Sequence, residues 1–189
     1  MSHTRLPIFT IGHSTRPLAD FLALLAESRI ACVVDVRSLP GSRAFPQYDA
    51  DALRASLAQA GIGYAYMPAL GGRRGRSLPM GDARNALWHN ASFRHYADYA
   101  CTSPFAEALC EFEVHAARER CVLMCAEAVW WRCHRRIIAD HLLARGQAVW
   151  HIMAPGKVVP ATLTPGARVT AEMVTYPPND DLFASNSDP

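Results

Sequence analysis

The sequence predicts one α/β domain in which a mainly parallel, open sheet carries helices on both faces, in a Rossmann-like or flavodoxin-like arrangement. Three observations predict this fold. The chain has 189 residues, the size of a single domain, and its 50% hydrophobic and 19% charged residues are typical of a folded globular protein. Short apolar runs alternate with segments whose apolar residues recur at helical spacing. The connections between the apolar runs are long enough to contain the helix that joins two parallel strands.

The first half of the chain repeats a unit of one strand and one helix. The predicted strands are residues 8–12, 31–36 and 64–67, and the predicted helices are residues 17–29 and 50–60. Ser14 or Thr15 is expected to cap the first helix, and Gly61 is expected to end the second. Residues 68–81 then form a long irregular segment around Gly-Gly-Arg-Arg, and a loop of this length is more often functional than structural.

The second half continues the alternation and then loses it. A helical stretch over residues 83–118, broken near a Ser103 cap, is followed by a strand at 121–125, a helix at 133–145 and a last strand at 148–152. After Pro155 the sequence becomes rich in Pro, Gly and Thr, without periodicity. We therefore expect a single domain over residues 1–176 and a flexible tail over residues 177–189.

Composition limits the classes of function. The net charge of +2 provides no global basic field for nucleic acid, so a basic surface would have to be local. The six cysteines follow no secretory leader and no disulfide framework, which predicts reduced thiols in the cytoplasm. No stretch approaches the roughly 18 apolar residues of a membrane span, so no membrane contact is expected. The oligomeric state stays open.

Polar residues follow four of the predicted strands at their carboxyl ends. In an open parallel sheet these ends meet at one edge, where ligands bind. The residues delivered there are His13 after the first strand, Asp35 and Arg37 after the second, Gly71, Gly72 and Arg73 after the third, and Cys125 and Glu127 after the fourth. Ser42 and Arg43 lie further along the second loop. The sequence therefore predicts a shared binding site at this edge.

Cys133 is the strongest candidate for a reactive group. It stands at the expected start of a helix, where free backbone N–H groups favour a thiolate, and Arg132, Arg135 and Arg136 lie beside it in sequence. The alternative is that Arg135 and the helix start bind an anionic ligand while the thiol takes no part.

The acid and base candidates each have a structural alternative. Asp35 or Glu127 could act as general acid or base, and His13 or His134 could transfer protons. Asp35 and Arg37 lie two residues apart on a strand and share a face, so a structural ion pair is an equal interpretation. His13 could also be a turn residue. Gly71 and Gly72 could serve only to supply positive φ.

Metal, redox and aromatic interpretations concern residues 125–136. Cys125, Cys133 and His134 are metal-ligand types, but neighbouring residues on a helix point about 100° apart, and no Cys-x-x-Cys pair exists, so neither a metal nor a cofactor is expected. A redox pair of Cys125 and Cys133 stays an alternative. Trp130 and Trp131 could form a wall for a planar ligand or a nucleic-acid base, although one of them is expected to cover the edge of the core.

Four motifs, taken in order, resemble the bacterial and archaeal family known as domain of unknown function 488. They are Thr10-Ile11-Gly12-His13-Ser14, Asp35-Val36-Arg37-Ser38-Leu39-Pro40-Gly41-Ser42-Arg43, Leu70-Gly71-Gly72-Arg73, and Cys125-Ala126-Glu127 with Cys133-His134-Arg135. The likeness covers about residues 8–152, although residues 128–131 depart from the family's polar turn. The resemblance implies a single-domain cytoplasmic α/β protein, and some members carry a DNA-repair label without an established activity.

Together these residues predict an enzyme with a pocket for an anionic, nucleotide-like or nucleic-acid ligand. Arg37, Arg43, Arg73 and Arg135 would bind phosphate or carboxylate. Hydrolysis, glycosidic cleavage and thiol transfer are all compatible with the residue set. A noncatalytic module that binds a nucleotide or a single strand, and a thiol redox protein, are the alternatives.

Overall fold

The computed structural model describes residues 5–76 and 82–178. Over these ranges the chain forms a six-stranded sheet, a two-stranded sheet and five α-helices. The strands are β1 (Ile8–Gly12), β2 (Cys32–Asp35), β3 (Gly63–Tyr66), β4 (Cys121–Cys125), β5 (Val149–Ala154), β6 (Lys157–Pro160), β7 (Arg168–Thr170) and β8 (Met173–Thr175). The helices are α1 (Leu18–Glu27), α2 (Ala50–Gln59), α3 (Ala91–Ala100), α4 (Ser103–Ala116) and α5 (Arg135–Ala144).

The strand order of the large sheet is β3-β2-β4-β1-β5-β6. The first five of these strands pair in parallel, and β6 is antiparallel to β5 at the edge. The predicted α/β fold with a mainly parallel sheet is therefore confirmed. Strand β4 arrives late in the chain and inserts between β2 and β1.

Helices cover both faces of the sheet because alternate residues of each central strand point to opposite sides. In β4, Cys121, Leu123 and Cys125 pack with α3, α4 and α5, whereas Val122 and Met124 pack with α1 and α2. All five residues of β4 are buried, which explains why the sequence shows a continuous apolar run rather than alternation.

This topology creates a crevice beside β4. The chain leaves β1 and β2 toward the face of α1 and α2, but it leaves β4 toward the face of α5. Neighbouring strands whose connections depart to opposite faces leave an opening at their carboxyl ends, and ligands of open α/β sheets bind there. Here β4 is flanked by such neighbours on both sides.

Several helix starts differ from the sequence predictions. The helical stretch expected from residue 83 begins only at Ala91, because the Asn90 side chain accepts hydrogen bonds from the backbone N–H groups of Ser92 and Phe93 and thereby caps α3. Helix α1 follows Pro17 without a side-chain cap, so the expected Ser14 or Thr15 cap is wrong. Thr102, not Ser103, precedes α4.

The segment after Pro155 is more ordered than the sequence indicated. Strand β6 extends the sheet, and β7 and β8 form a hairpin that leads to Tyr176. Tyr176 is fully buried, and its hydroxyl donates to the Asp140 carboxylate at 2.8 Å. Short strands among Pro and Gly residues leave little periodic signal. The expected tail over residues 177–189 lies largely outside the described residues. Among the described helices, none is both long and apolar enough to span a bilayer.

Replacing Tyr176 with Ala should lower the free energy of unfolding by about 3–5 kcal/mol, because it removes a buried aromatic ring and leaves a cavity. Urea unfolding followed by circular dichroism measures this change. Val169→Ala is the control, since Val169 is 43% exposed and its truncation should change stability by less than about 0.5 kcal/mol. Equal effects of the two substitutions would show that the C-terminal segment does not belong to the folded domain.

Candidate functional site

A pocket of about 320 Å³ opens at the carboxyl ends of β2 and β4. The loop after β2, the irregular segment after β3, helix α3 and the connection from β4 to α5 contribute its walls. The lining residues are Arg37, Ser38, Leu39, Gly72, Arg73, Ser92, Phe93, Tyr96, Cys125, Ala126, Glu127, Arg132, Cys133 and His134. This cavity lies at the sheet edge where the sequence predicts a binding site.

Cys133 lies in this pocket against a buried guanidinium group. Arg135 is 1% exposed, and its Nε donates to the Cys133 sulfur at 3.2 Å while its Nη2 donates to the carbonyl oxygen of Glu127 at 2.6 Å. A guanidinium keeps its charge, and a buried charge is costly without an opposite charge nearby. No carboxylate within the described ranges forms an ion pair with Arg135. The sulfur of Cys133 is therefore the group placed to carry the balancing negative charge.

Cys125 and His134 also interact with this sulfur, and the interactions shift the pKa values of the two thiols in opposite directions. Burial opposes ionisation of Cys133, but its hydrogen bond with Cys125 and the charges of Arg135 and His134 outweigh burial and lower the pKa of its thiol. The same hydrogen bond and burial raise the pKa of the Cys125 thiol. The His134 Nδ1 lies 3.6 Å from the Cys133 sulfur and 3.9 Å from the Cys125 sulfur. Cys133 is thus the more acidic thiol of the pair and Cys125 the less acidic one.

The backbone at Cys133 differs from the prediction. Cys133 is extended, with φ −129° and ψ 148°, and helix α5 begins two residues later at Arg135. Cys133 and His134 were expected to point about 100° apart on a helix. This expectation is wrong, because the sulfurs of Cys125 and Cys133 and the imidazole nitrogen of His134 all lie within 4.8 Å of one another.

Asp35 and Arg37 form a buried ion pair behind the pocket. The Arg37 guanidinium donates to both Asp35 oxygens, with the shortest contact at 2.6 Å, and to the Tyr48 carbonyl oxygen at 2.8 Å. The Tyr64 hydroxyl donates to the same carboxylate at 2.8 Å. Asp35 is completely buried and does not line the pocket. The geometry favours the structural interpretation of this pair, in which it fixes the loop that carries Ser38 and Leu39.

His13 belongs to the same buried group rather than to the pocket wall. Its Nδ1 lies 2.9 Å from the Ser14 carbonyl oxygen, its Nε2 lies 3.4 Å from Arg37, and its ring stacks on Tyr48. Burial lowers the pKa of His13 to about 4. A neutral imidazole that donates to Ser14 can accept from Arg37, so His13 orients the guanidinium. Its predicted role in proton transfer stays a prediction.

The glycines of the sequence motifs are required by close approach. A Cβ on Gly12 would lie 1.8 Å from the Glu127 carbonyl oxygen, and a Cβ on Gly72 would lie 2.4 Å from the His134 Nδ1. The same holds for Gly71, whose Cβ would meet the Ser38 Oγ at 2.5 Å. Neither Gly71 nor Gly72 has positive φ, so that interpretation is wrong. The missing side chains let the loops after β1, β3 and β4 close around the thiols.

Two exposed arginines supply the positive charge at the mouth of the pocket. Arg73 and Arg132 line it, and neither guanidinium forms an ion pair within the part of the chain that the structure describes. The exposed Glu127 is the carboxylate among the lining residues. Arg74, by contrast, donates to three carbonyl oxygens of its own loop and stacks on Tyr99. Within the Gly-Gly-Arg-Arg segment, Arg73 therefore lines the pocket, whereas Arg74 stabilises the loop itself.

Six residues predicted to bind ligand lie outside the pocket lining, namely Ser42, Arg43, Gly71, Trp130, Trp131 and Arg135. Gly71 packs against Ser38, and Arg135 contacts the Cys133 sulfur. The Ser42 hydroxyl accepts from the Phe45 backbone N–H at 3.1 Å and stabilises a turn, and Arg43 is exposed nearby. Trp130 stacks on the buried His151 with ring centroids 4.5 Å apart, while Trp131 is 47% exposed. Trp130 thus covers the core edge, as expected for one of the pair.

The sequence reasoning missed part of the pocket wall. Ser38 lay inside a motif without an assigned role, and Arg132 was considered only as a cation beside Cys133. The missed residues on α3 are Ser92, Phe93 and Tyr96. They carried no signal because residues 83–118 showed only helical periodicity. Tyr96 is fully buried, its hydroxyl donates to the Leu70 carbonyl oxygen at 2.8 Å, and its ring packs 5.0 Å from the His134 ring.

A second thiol cluster lies at the opposite edge of the sheet. Cys32 and Cys121 are paired first residues of β2 and β4, and their sulfurs and a Glu119 oxygen all lie within 4.8 Å of one another. Both cysteines are buried, which agrees with their expected role as small core residues. This cluster lies at the amino ends of β2 and β4, whereas the pocket lies at their carboxyl ends. Experiments on thiols therefore need a control variant of this cluster.

Comparison with known proteins identifies the chain at the level of a family. The family described as "Domain of unknown function DUF488" matches residues 17–142, which is more than half of the chain. The match includes the motifs after β2, β3 and β4, and it begins after the Gly12-His13-Ser14 motif. No curated protein and no solved structure matches the chain.

Gly72→Ala should destabilise the protein by about 1–3 kcal/mol, because the added methyl group has to displace the His134 ring. Urea unfolding measures the difference from the wild-type protein. Gly75→Ala is a matched control in the same loop, since a Cβ there meets no described atom within 4 Å. If the two variants unfold alike, the close packing of Gly72 on His134 is not part of the folded structure.

Proposed function

Because the chain belongs to the family described as domain of unknown function DUF488, whose description assigns no activity, we propose its function from the site alone. The protein is a thiol-dependent enzyme in which the Cys133 thiolate attacks a small anionic substrate. The observation that carries this proposal is the contact between the Cys133 sulfur and the buried Arg135 guanidinium at 3.2 Å. A thiolate held by a cation beside a helix start is the usual form of a nucleophilic cysteine.

The walls of the pocket indicate the class of substrate. Arg73 and Arg132 provide two exposed positive charges, and Ser38 and Ser92 provide hydroxyl groups. Leu39 and Phe93 add apolar surface, and a volume of about 320 Å³ is at the lower end of small-molecule pockets. A molecule no larger than a nucleotide, with a phosphate or carboxylate group and an apolar part, fits these features.

The groups around the sulfur suggest how a reaction proceeds. The thiolate forms a bond to an electrophilic atom of the substrate, and the leaving group departs with a proton. Cys125, which keeps its proton, and His134 are the groups beside the sulfur that can supply it. Glu127 at the mouth of the pocket can activate water to release the covalent adduct. This scheme covers hydrolysis and thiol transfer.

Glycosidic cleavage is less compatible with the geometry, since it needs two carboxyl groups that flank the substrate. Asp35 is hydrogen-bonded to Arg37 and Tyr64, so among the described residues Glu127 is the one carboxylate that lines the pocket. A nucleic-acid ligand, and with it a link to DNA repair, also receives little support, because Trp130 is stacked on His151. We retain the cytoplasmic location as part of the proposal, since a reducing compartment keeps the thiols free.

Alkylation with two reagents of different charge tests the proposal without knowledge of the substrate. The measured quantity is the rate at which iodoacetate labels Cys133 divided by the rate for neutral iodoacetamide, at neutral pH and in the presence of a chelator. This ratio should be higher in the folded protein than in the urea-unfolded chain. The expected cause is attraction of the anionic reagent by Arg73 and Arg132. Peptide mass spectrometry gives the labelling rate at each cysteine.

Charge-removing variants make this test specific. Arg73→Gln and Arg132→Gln should each reduce the preference for iodoacetate by up to about fivefold, the size of an exposed charge interaction. Arg43→Gln is the matched control, because Arg43 is an exposed arginine outside the pocket lining. Equal labelling of Cys133 in the folded and unfolded chains would contradict the activated thiolate and favour a noncatalytic binding module.

A further inference from the structure

The floor of the pocket carries three donor atoms that converge on one point. The sulfurs of Cys125 and Cys133 and the Nδ1 of His134 lie within 4.8 Å of one another, and all three residues line the pocket. We propose that they form a three-ligand site for a thiophilic divalent cation such as Zn²⁺, and that the bound ion reversibly masks the Cys133 nucleophile.

The spacing of the donor atoms matches tetrahedral coordination. Zinc binds sulfur at about 2.3 Å and imidazole nitrogen at about 2.0–2.1 Å, so a tetrahedral site separates a sulfur and a nitrogen ligand by about 3.6 Å. The Nδ1 of His134 lies 3.6 Å from the Cys133 sulfur and 3.9 Å from the Cys125 sulfur. Both sulfur-to-nitrogen distances therefore lie within a few tenths of an ångström of the tetrahedral value.

The imidazole is held in the orientation that a ligand requires. Gly72 lies against one side of the ring so closely that a Cβ would reach within 2.4 Å of Nδ1, and Tyr96 packs 5.0 Å away. Nε2 is buried and has no hydrogen-bond partner among the described residues. The sulfurs of Cys125 and Cys133 are thus the polar atoms that the ring faces, and packing fixes its direction.

The chemistry of the donor set selects the class of metal. Two sulfur atoms and one imidazole nitrogen prefer zinc and similar thiophilic ions over magnesium or calcium, which prefer oxygen. Three protein ligands with an open fourth position are typical of a reactive rather than a purely structural zinc site. Because the three residues line the pocket, that fourth position faces the space that a substrate would occupy.

Binding has a defined balance of charge and protons. The ion replaces the proton of Cys125 and the proton on the Nδ1 of His134, both of which pass to solvent, and two thiolates then neutralise the divalent charge. The buried Arg135 continues to donate to the Cys133 sulfur, so the site keeps a net positive charge and favours water or an anion as fourth ligand. Coordination withdraws electron density from the Cys133 sulfur and occupies its exposed side, so the sulfur becomes a weaker nucleophile. Masking therefore rests on the proposed function, whereas metal binding does not.

Titration of the chelator-treated full-length protein with Co²⁺ and then with Zn²⁺ tests the site. One equivalent of Co²⁺ should give the thiolate-to-cobalt absorption of a tetrahedral complex, and Zn²⁺ should displace it. Cys125→Ser and His134→Gln should each weaken binding by at least about tenfold, the effect of losing even an outer partner of a metal site. Circular dichroism checks that both variants are folded.

Two cysteine variants serve as controls. Cys32→Ser removes a thiol of the cluster at the opposite edge of the sheet, and Cys110→Ser removes an exposed thiol. Both should bind metal like the wild-type protein. Loss of binding in Cys32→Ser with retention in His134→Gln would place the ion at the other cluster and overturn the proposed site, as would the absence of any thiolate-to-cobalt absorption.

Labelling of Cys133 in the same samples separates the two proposals. Zinc should block carboxymethylation of Cys133 by iodoacetate, and a chelator should restore it. If metal binds but labelling continues, masking is wrong. If labelling is normal and no metal binds, the metal site alone is wrong. If Cys133 is unreactive with and without metal while Co²⁺ binds, the proposed enzyme function fails and the metal site stands.

Discussion

The arrangement of the pocket depends on the buried guanidinium of Arg135. This cation is 1% exposed and contacts the Cys133 sulfur and the Glu127 carbonyl oxygen. Its hydrogen bonds connect the start of α5 to the loop that follows β4. Because an unpaired buried charge is costly, its positive charge requires a negative charge nearby. Cys133 can supply that charge either as a free thiolate or as a metal-bound one. The proposed thiolate follows from this electrostatic requirement, and the proposed metal site follows from the convergence of three donor atoms on the same sulfur.

The sheet topology and three glycines allow the other groups of the site to approach Arg135. Strand β4 lies between β1 and β2, whose connections leave toward the opposite face, so a crevice opens at its end. Gly12 admits the loop after β4, while Gly71 and Gly72 admit Ser38 and His134. The buried pair of Asp35 and Arg37 supports the loop from the second strand. Of these residues, Arg37 and Gly72 also line the pocket, whereas Gly12, Gly71 and Asp35 support it from behind.

Sequence reasoning recovered the sheet and the edge that carries the pocket because both depend on local periodicity and on where polar residues follow strands. The sequence could not show which polar residues reach the pocket, because this depends on how deeply each is buried. Glu127, Cys133 and His134 line the pocket, whereas Asp35 and His13 lie behind Arg37. Sequence reasoning also gave no sign of Tyr96, whose contact with His134 depends on tertiary packing. The convergence of Cys133 and His134 was missed because it depends on an extended residue before α5.

In the proposed site, Cys133 is a thiolate whose negative charge balances Arg135. Ultraviolet difference spectroscopy of chelator-treated protein at neutral pH tests it most directly, since a thiolate absorbs in a range where a thiol does not. The wild-type protein should show the absorbance of one thiolate more than Cys133→Ser, and Arg135→Met should lose that excess. Identical spectra for the wild-type protein and Cys133→Ser would contradict the account, because the buried guanidinium would then have no anionic partner at this sulfur.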